Sequence, residues 1–212
     1  MPPPRAVGHG SRKAARRATV GAVIRLVPVT VDLLDAALAG DDALAAALGH
    51  AVTPGWATFR EALRVTRDAL AASPGASTWG ARLFVSGEPP ELVGWGGYKG
   101  PPVGGVVEIG YEIAASRRGR GLATAAARAM VAEALADDRV TRVVAATLPE
   151  RNASTRVLEK AGFRHDGEDR EDGEPVWRYA LARRPAQDGR SPAESRWTPR
   201  RGTVPRAGDT RS

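Results

Sequence analysis

The amino-acid sequence predicts an α/β (α+β) fold: a single domain on a mixed sheet of six to seven strands, with helices on both faces. Three observations predict it. Strand-like and helix-like runs follow one another in the order β, α, α, α, β, β, β, α, β, α, β, β, which mixes antiparallel hairpins with β-α-β crossovers. The run Val106 to Ile113 (VVEIGYEI) alternates as a central strand does, and the Ala-rich Leu122 to Ala136 behind it carries Leu122, Ala126, Ala129, Met130 and Leu135 at helical spacing. The chain of 212 residues, 42% hydrophobic and 26% charged, has the balance of one globular core and is too short for two large ones.

The elements are justified in order. Ala22 to Val29 (AVIRLVPV) alternates as a first strand that ends near Pro28. Thr30 caps a short helix through Leu38, Gly40 stops it, and Asp41 caps another. Trp56 to Ala72 reads as a helix from Phe59, Leu63, Val65 and Leu70, broken by Ser73-Pro74-Gly75. Thr78 to Val85 and Glu91 to Tyr98 form a hairpin through Gly87, Pro89 and Pro90; Gly94, Gly96 and Gly97 mark a bulge or a close backbone approach in its second strand, or simply weaken it. In Val106 to Ile113, Val107, Ile109, Tyr111 and Ile113 take one side, and Glu108, Gly110 and Glu112 the other. After the helix, Val140 to Leu148 is a strand ended by Pro149, Asn152 to Ala161 a helix closed by Gly162, and Phe163 to Glu168 with Pro175 to Leu181 a closing pair around an acidic turn.

The net charge of +7 sits at the ends: residues 1–22 and residues 183–212 each carry +5, and the stretch between carries −3. Both ends are rich in Pro, Gly, Ser and Arg without apolar periodicity, so the expected organisation is a disordered basic tail over 1–22, a domain over 23–182 and a disordered Arg/Pro-rich tail over 183–212. Nucleic-acid binding through these tails is the lesser reading of the charge. The absence of cysteine excludes disulfides and thiolate chemistry, and His9, His50 and His165 stand apart, so no metal site is expected. No apolar run reaches the roughly 18 residues of a membrane span, and no signal-peptide stretch opens the chain; a cytoplasmic location is expected.

Chemistry concentrates where the central strand meets the helix. Glycines in Arg117-Arg118-Gly119-Arg120-Gly121-Leu122-Ala123 let the backbone approach a ligand, and the N–H groups opening the helix point at it. The helix dipole with Arg118 and Arg120 favours a phosphate or pyrophosphate there, although glycine in such a turn also serves conformation alone. The spacing is neither the dinucleotide G-x-G-x-x-G nor a nucleotide-triphosphate loop.

Together with NASTRVLEKAGF at Asn152 to Phe163, the R-x-x-G-x-A of Arg118 to Ala123 resembles the GNAT superfamily of acetyl-CoA-dependent N-acetyltransferases. The likeness extends over about residues 23–182 by order of elements, with specific motifs in 106–163. EIGYEIAASRRGRGLAT and TLPERNASTRVLEKAGF look most like the branch that includes acetyltransferases of ribosomal-protein N-termini. The resemblance implies acetyl-CoA as co-substrate, a primary amine as acceptor (a protein N-terminus or a small molecule) and central strands that splay apart. It implies that N–H groups from Gly119 to Ala123 hold the pyrophosphate, with charge from Arg118 and Arg120 and a hydroxyl from Thr124. Leu122 belongs to the same turn. Backbone groups of Tyr111 to Ala114, Ile113 included, would pair with the pantetheine arm like another strand, one N–H serving the oxyanion. Asn152 would anchor the arm and cap its helix.

Direct attack by an amine requires a base, and Glu108 and Glu112, facing the same side, are the candidates because neighbouring carboxylates raise each other's pKa. Where many relatives carry an acidic Tyr, this chain has Glu159; Thr155 is the candidate to bond the sulfur, and departure of free thiolate is the alternative. The missing Tyr also keeps open a non-catalytic acyl-CoA-binding module. Trp56, Trp79, Trp95 and Trp177 are read as core, with Trp56 in the region that borders the acceptor in this family.

Overall fold

The computed structural model describes residues 22–183, so the expected tails, apart from Ala22 and Arg183, lie outside the described residues. The strands are β1 (Arg25–Pro28), β2 (Ala51–Val52), β3 (Ala81–Ser86), β4 (Glu91–Tyr98), β5 (Val106–Ile113), β6 (Arg142–Thr147), β7 (Arg164–Glu171) and β8 (Glu174–Ala182). They form an eight-stranded mixed sheet in the order β1-β3-β4-β5-β6-β8-β7, with β2 attached to β4. The count exceeds the expected six to seven because β2, parallel to Glu91 and Leu92, is too short to show a period. Only this pair and β5–β6 are parallel; the rest are antiparallel.

The helices α1 (Val31–Ala39), α2 (Asp41–Leu48) and α3 (Arg60–Ala72) cover one face, and α4 (Leu122–Leu135) and α5 (Ala153–Ala161) the other. Thr30 caps α1 by accepting from the Leu33 N–H at 3.2 Å. Gly40, not Asp41, is the N-cap of α2; the Asp41 carboxylate instead takes the Trp56 indole N–H at 3.2 Å and Arg60 at 3.3 Å. That pairing explains why α3 starts at Arg60 and not at Trp56. The indole is drawn into the core, 1% exposed and edge-on to Trp95 at 6.1 Å, and the chain around it after Pro54-Gly55 is a loop.

Alternation divides β5 as expected. Val107, Ile109 and Ile113 are buried against Ala126, Met130 and Leu158 in the core under α4 and α5. The opposite core joins Leu83, Leu92 and Trp95 to Leu34, Leu44 and Leu63. On the α4 side Arg82 is buried, paired with Glu133 at 2.7 Å, while the neighbouring Tyr98 hydroxyl donates to the Met130 carbonyl at 2.9 Å. Of the roles anticipated for the β4 glycines, close backbone approach is the one they serve, while the bulge falls on Val93 beside them. Val93 is bulged between Leu92 and Gly94, and a Cβ on Gly94 or Gly96 would collide with the carbonyl oxygens of Glu112 or Gly110 on β5.

Candidate active site

The sheet opens at its centre. Strands β5 and β6 pair only from Val106–Glu108 to Arg142–Val144, and beyond Glu108 they part, the splay the resemblance implied. Carbonyls of Glu108, Gly110 and Glu112 turn toward β4: the first accepts the Lys99 N–H at 2.9 Å, and the other two crowd the β4 glycines. Strand alternation therefore turns the N–H and C=O groups of Tyr111 and Ile113 toward the gap, where no strand meets them. Ala114 differs from its predecessors. Its N–H donates to the Val93 carbonyl at 2.9 Å and its carbonyl accepts from Arg117 at 2.8 Å, so both groups are already engaged.

The gap leads to a cleft of about 600 Å³ between the end of β5, the start of α4 and one side of α5. Gly121 caps α4 at φ 79°, with no side-chain cap and no acid in the first turn, and Gly119 has φ 75°. These left-handed angles make backbone conformation the reason for glycine at each, since a Cβ on Gly119 would meet nothing within 4 Å and one on Gly121 only the Ala22 side chain at 3.8 Å. The first intrahelical bond shown is Ala125 N–H to the Gly121 carbonyl at 3.0 Å, so the earlier N–H groups of the helix face the cleft end. Leu122, Ala123 and Thr124 line the cleft with Gly119 and Gly121.

Charge surrounds this helix start. Arg118 lines the cleft and folds back to donate its Nε–H to the Ile113 carbonyl at 3.2 Å. Arg117, which also lines it, is held by Glu91 at 2.6 Å, and burial, which would raise that carboxyl, is outweighed by the bond to Arg117, so Glu91 lies below the usual range. Arg120 borders instead a shallower depression of about 390 Å³ on the β3–β4 side. Two cations escaped the sequence reading: Arg156 and Lys160, one turn apart on α5, line the cleft opposite α4. Their i, i+4 spacing is the signal that one face of α5 is basic.

The acid–base candidates separate. Glu112 lines the cleft, and its Oε1 accepts from the Thr58 backbone N–H at 3.1 Å and from the Trp95 indole, tying the loop before α3 to the end of β5. Glu108 is paired with Lys99 at 2.8 Å and Arg178 at 2.6 Å. Burial alone would raise its carboxyl, but the two cations hold it below the ordinary range, so the mutual elevation expected for a pair of carboxylates is not what governs Glu108. Asn152 and Thr155 form a reciprocal capping box on α5: Asn152 Oδ1 accepts from Thr155 N–H at 3.0 Å, and Thr155 Oγ1 accepts from Asn152 N–H at 3.1 Å. Asn152 also donates to Thr147 at 3.2 Å, and Thr155 is fully buried, so both act first in joining β6 to α5. Among the described residues no group of three or more His, Asp or Glu is placed to hold a metal, and no helix is long and apolar enough to cross a membrane.

A sheet split between parallel strands, with a glycine-framed and cation-lined helix start at the head of the split, defines an acyltransferase of the kind the two sequence motifs resemble. Residues 24–164 match the acetyltransferase (GNAT) domain family, and the chain belongs to it. It is 31% identical over 143 residues to the uncharacterized N-acetyltransferase YjdG of Bacillus subtilis (strain 168), covering 66% of this chain and 85% of that one. Among solved structures, AAC(6')-Ib in complex with paromomycin and acetyl-CoA superposes with a TM-score of 0.52 at 22% identity, covering 82% of this chain and 99% of the other. RimJ of Mycobacterium smegmatis, in complex with CoA-disulfide, gives 0.51 at 24% identity over 75% of this chain and 81% of its own. At these identities the structural likeness is one of fold.

Proposed function

We propose that this acetyltransferase moves the acetyl group of acetyl-CoA to a primary amine, a protein N-terminus or a small-molecule amine, by direct attack. The observation that supports it most is the gap beyond Glu108, which exposes a row of β5 backbone groups leading straight to the uncapped N-terminus of α4. In this reading the N–H groups from Gly119 to Thr124 hold the pyrophosphate, with Arg118 and Arg120 supplying charge, and Arg156 and Lys160 complete the anion site from α5. Tyr111 and Ile113 give the strand-like contacts to the pantetheine arm, and the Ile113 N–H is the donor best directed to the oxyanion, since that of Ala114 is engaged.

The new C–N bond forms as the thioester C–S bond breaks, once the ammonium proton has passed to a base. Glu112 is favoured for that role because it lines the cleft and is oriented by Thr58 and Trp95. Glu108, with its two cations, holds the strand and is the lesser base. The Thr155 hydroxyl, spent on the cap, would bond the sulfur only by loosening α5, so departure as thiolate beside the start of α5 fits better. Acceptor choice falls to the region 51–76, where Phe59 is 62% exposed beside Thr58. A cytoplasmic setting, a fold bounded by 23–182 and activity independent of the tails belong to the same reading.

Calorimetric titration with acetyl-CoA, on the full chain and on Gly121→Glu, tests it. Micromolar binding lost in a variant whose circular dichroism is unchanged is the expected result, because the substitution sets bulk and negative charge where the pyrophosphate belongs. Undiminished binding in Gly121→Glu would remove α4 from the site, and no binding to the full chain would overturn the donor assignment.

A further inference from the structure

Both donors to Glu112, the Thr58 backbone N–H at 3.1 Å and the Trp95 indole, land on Oε1. Among the described residues Oε2 has no protein partner, and it keeps accessible surface. Thr58 lies in the irregular stretch 53–59 between β2 and α3, where an N–H stays on its acceptor only if the residues beside it are fixed. Asp41, at the start of α2, fixes them on both sides. Its Oδ1 accepts from the Trp56 indole, two residues before Thr58, at 3.2 Å and from Arg60, two residues after it, at 3.3 Å. Arg60 also donates to the Ala37 carbonyl on α1. The second donor is backed by the same tryptophan, since Trp56 stands edge-on to Trp95. With Arg60 and Asp41 46% and 35% exposed, their ion pair is a weak source of stability; what Asp41 supplies is placement.

We propose that Asp41 is a positioning residue for acetyl transfer: it pins Trp56 and Arg60, and through them keeps the Thr58 and Trp95 donors on one oxygen of Glu112 so that the other takes the proton of the amine. The inference rests on Glu112 being the base. In that step an ammonium N–H bond breaks, its electron pair stays on nitrogen for attack at the thioester carbon, and the proton goes to Oε2. Neutral donors on Oε1 orient the carboxylate without neutralising it, and a misplacement of about 1 Å costs up to about 10²-fold in rate.

Asp41→Ala and Asp41→Asn are compared with the unaltered full chain and with Glu112→Gln, the last also combined with Asp41→Ala. Asparagine keeps an oxygen that accepts from the indole, and alanine removes it. Hydrogen exchange at the Thr58 amide and the Trp95 indole, which needs no acceptor, should be about tenfold faster in Asp41→Ala, the size of a lost hydrogen bond, and unaltered in Asp41→Asn. With kanamycin and an alanine-initiated peptide as amine probes, kcat should fall about ten- to a hundredfold in Asp41→Ala and stay within about threefold in Asp41→Asn, the Kd for acetyl-CoA being unchanged. Asp41→Ala should add nothing to Glu112→Gln, because both act through one carboxylate, whereas a merely structural role would cost the same in either background. Unchanged exchange in Asp41→Ala, an Asp41→Asn protein as slow as Asp41→Ala, or a full further loss on top of Glu112→Gln would each overturn the inference alone. If Asp41→Ala loses its native circular dichroism, Trp56→Phe, which keeps a ring and drops the N–H, is read by the same outcomes. A Glu112→Gln protein with full kcat would overturn the base assignment, and the inference with it.

Discussion

At the scale of single residues, the site turns on which carboxylate is free to work. Glu112 is held by a backbone N–H and an indole, neutral donors that orient it, whereas Glu108 is neutralised by two cations. Glu112→Gln should therefore lower kcat by about 10²-fold or more, in the range of a lost general base, while the Kd for acetyl-CoA stays within about twofold. Steady-state rates with any accepted amine, beside calorimetry, check both halves. The motif residues Gly119, Gly121 and Arg118 were legible in the sequence because their chemistry is local to one turn. Arg156 and Lys160 were not, because the motif brought only the start of α5 to the cleft, through Asn152, and did not say which face of the helix turns toward the start of α4.

At the scale of elements, two local devices carry predictable energies. The capping box makes Asn152→Ala cost about 1–2 kcal/mol of stability, and chemical denaturation at constant m measures it. In β4, Gly96→Ala drives a methyl into the Gly110 carbonyl and the Phe84 ring, with an expected loss of about 1–3 kcal/mol or more in the same measurement. Strand β5 was read with its observed bounds because its alternation is regular and its ends are marked by glycine and alanine. The helix expected from Trp56 began a turn late, because helical spacing is blind to a tryptophan drawn inward by Asp41, a contact fifteen residues away in sequence. The two-residue β2 has no period to read.

At the scale of the whole molecule, a line of charges holds the sheet where it starts to open. Arg178 on β8 reaches across β6 to Glu108 on β5, and Lys99 after β4 joins Glu108 to Glu171 on β7. Because the folded pKa of Glu108 lies below the ordinary 4.5, its contribution is present above that pH and is lost as pH falls through the folded value. Melting temperature should thus drop on acidification below about 4.5, and Arg178→Met should be about 1–3 kcal/mol less stable at neutral pH with a flatter acid limb. Melts of both proteins across pH 3 to 7 test this.

The parting of β5 from β6 also has a consequence for the life of the protein. A gap between two strands is a pair of free edges inside a sheet, and free edges invite any extended chain that can pair with them. When the edge is filled by a ligand, folding gains by mass action, about 2.7 kcal/mol at a hundredfold excess over Kd. On the proposed reading, in which the coenzyme arm pairs with β5, the donor is also the piece that closes this edge, and resistance to proteolysis should rise as acetyl-CoA is added.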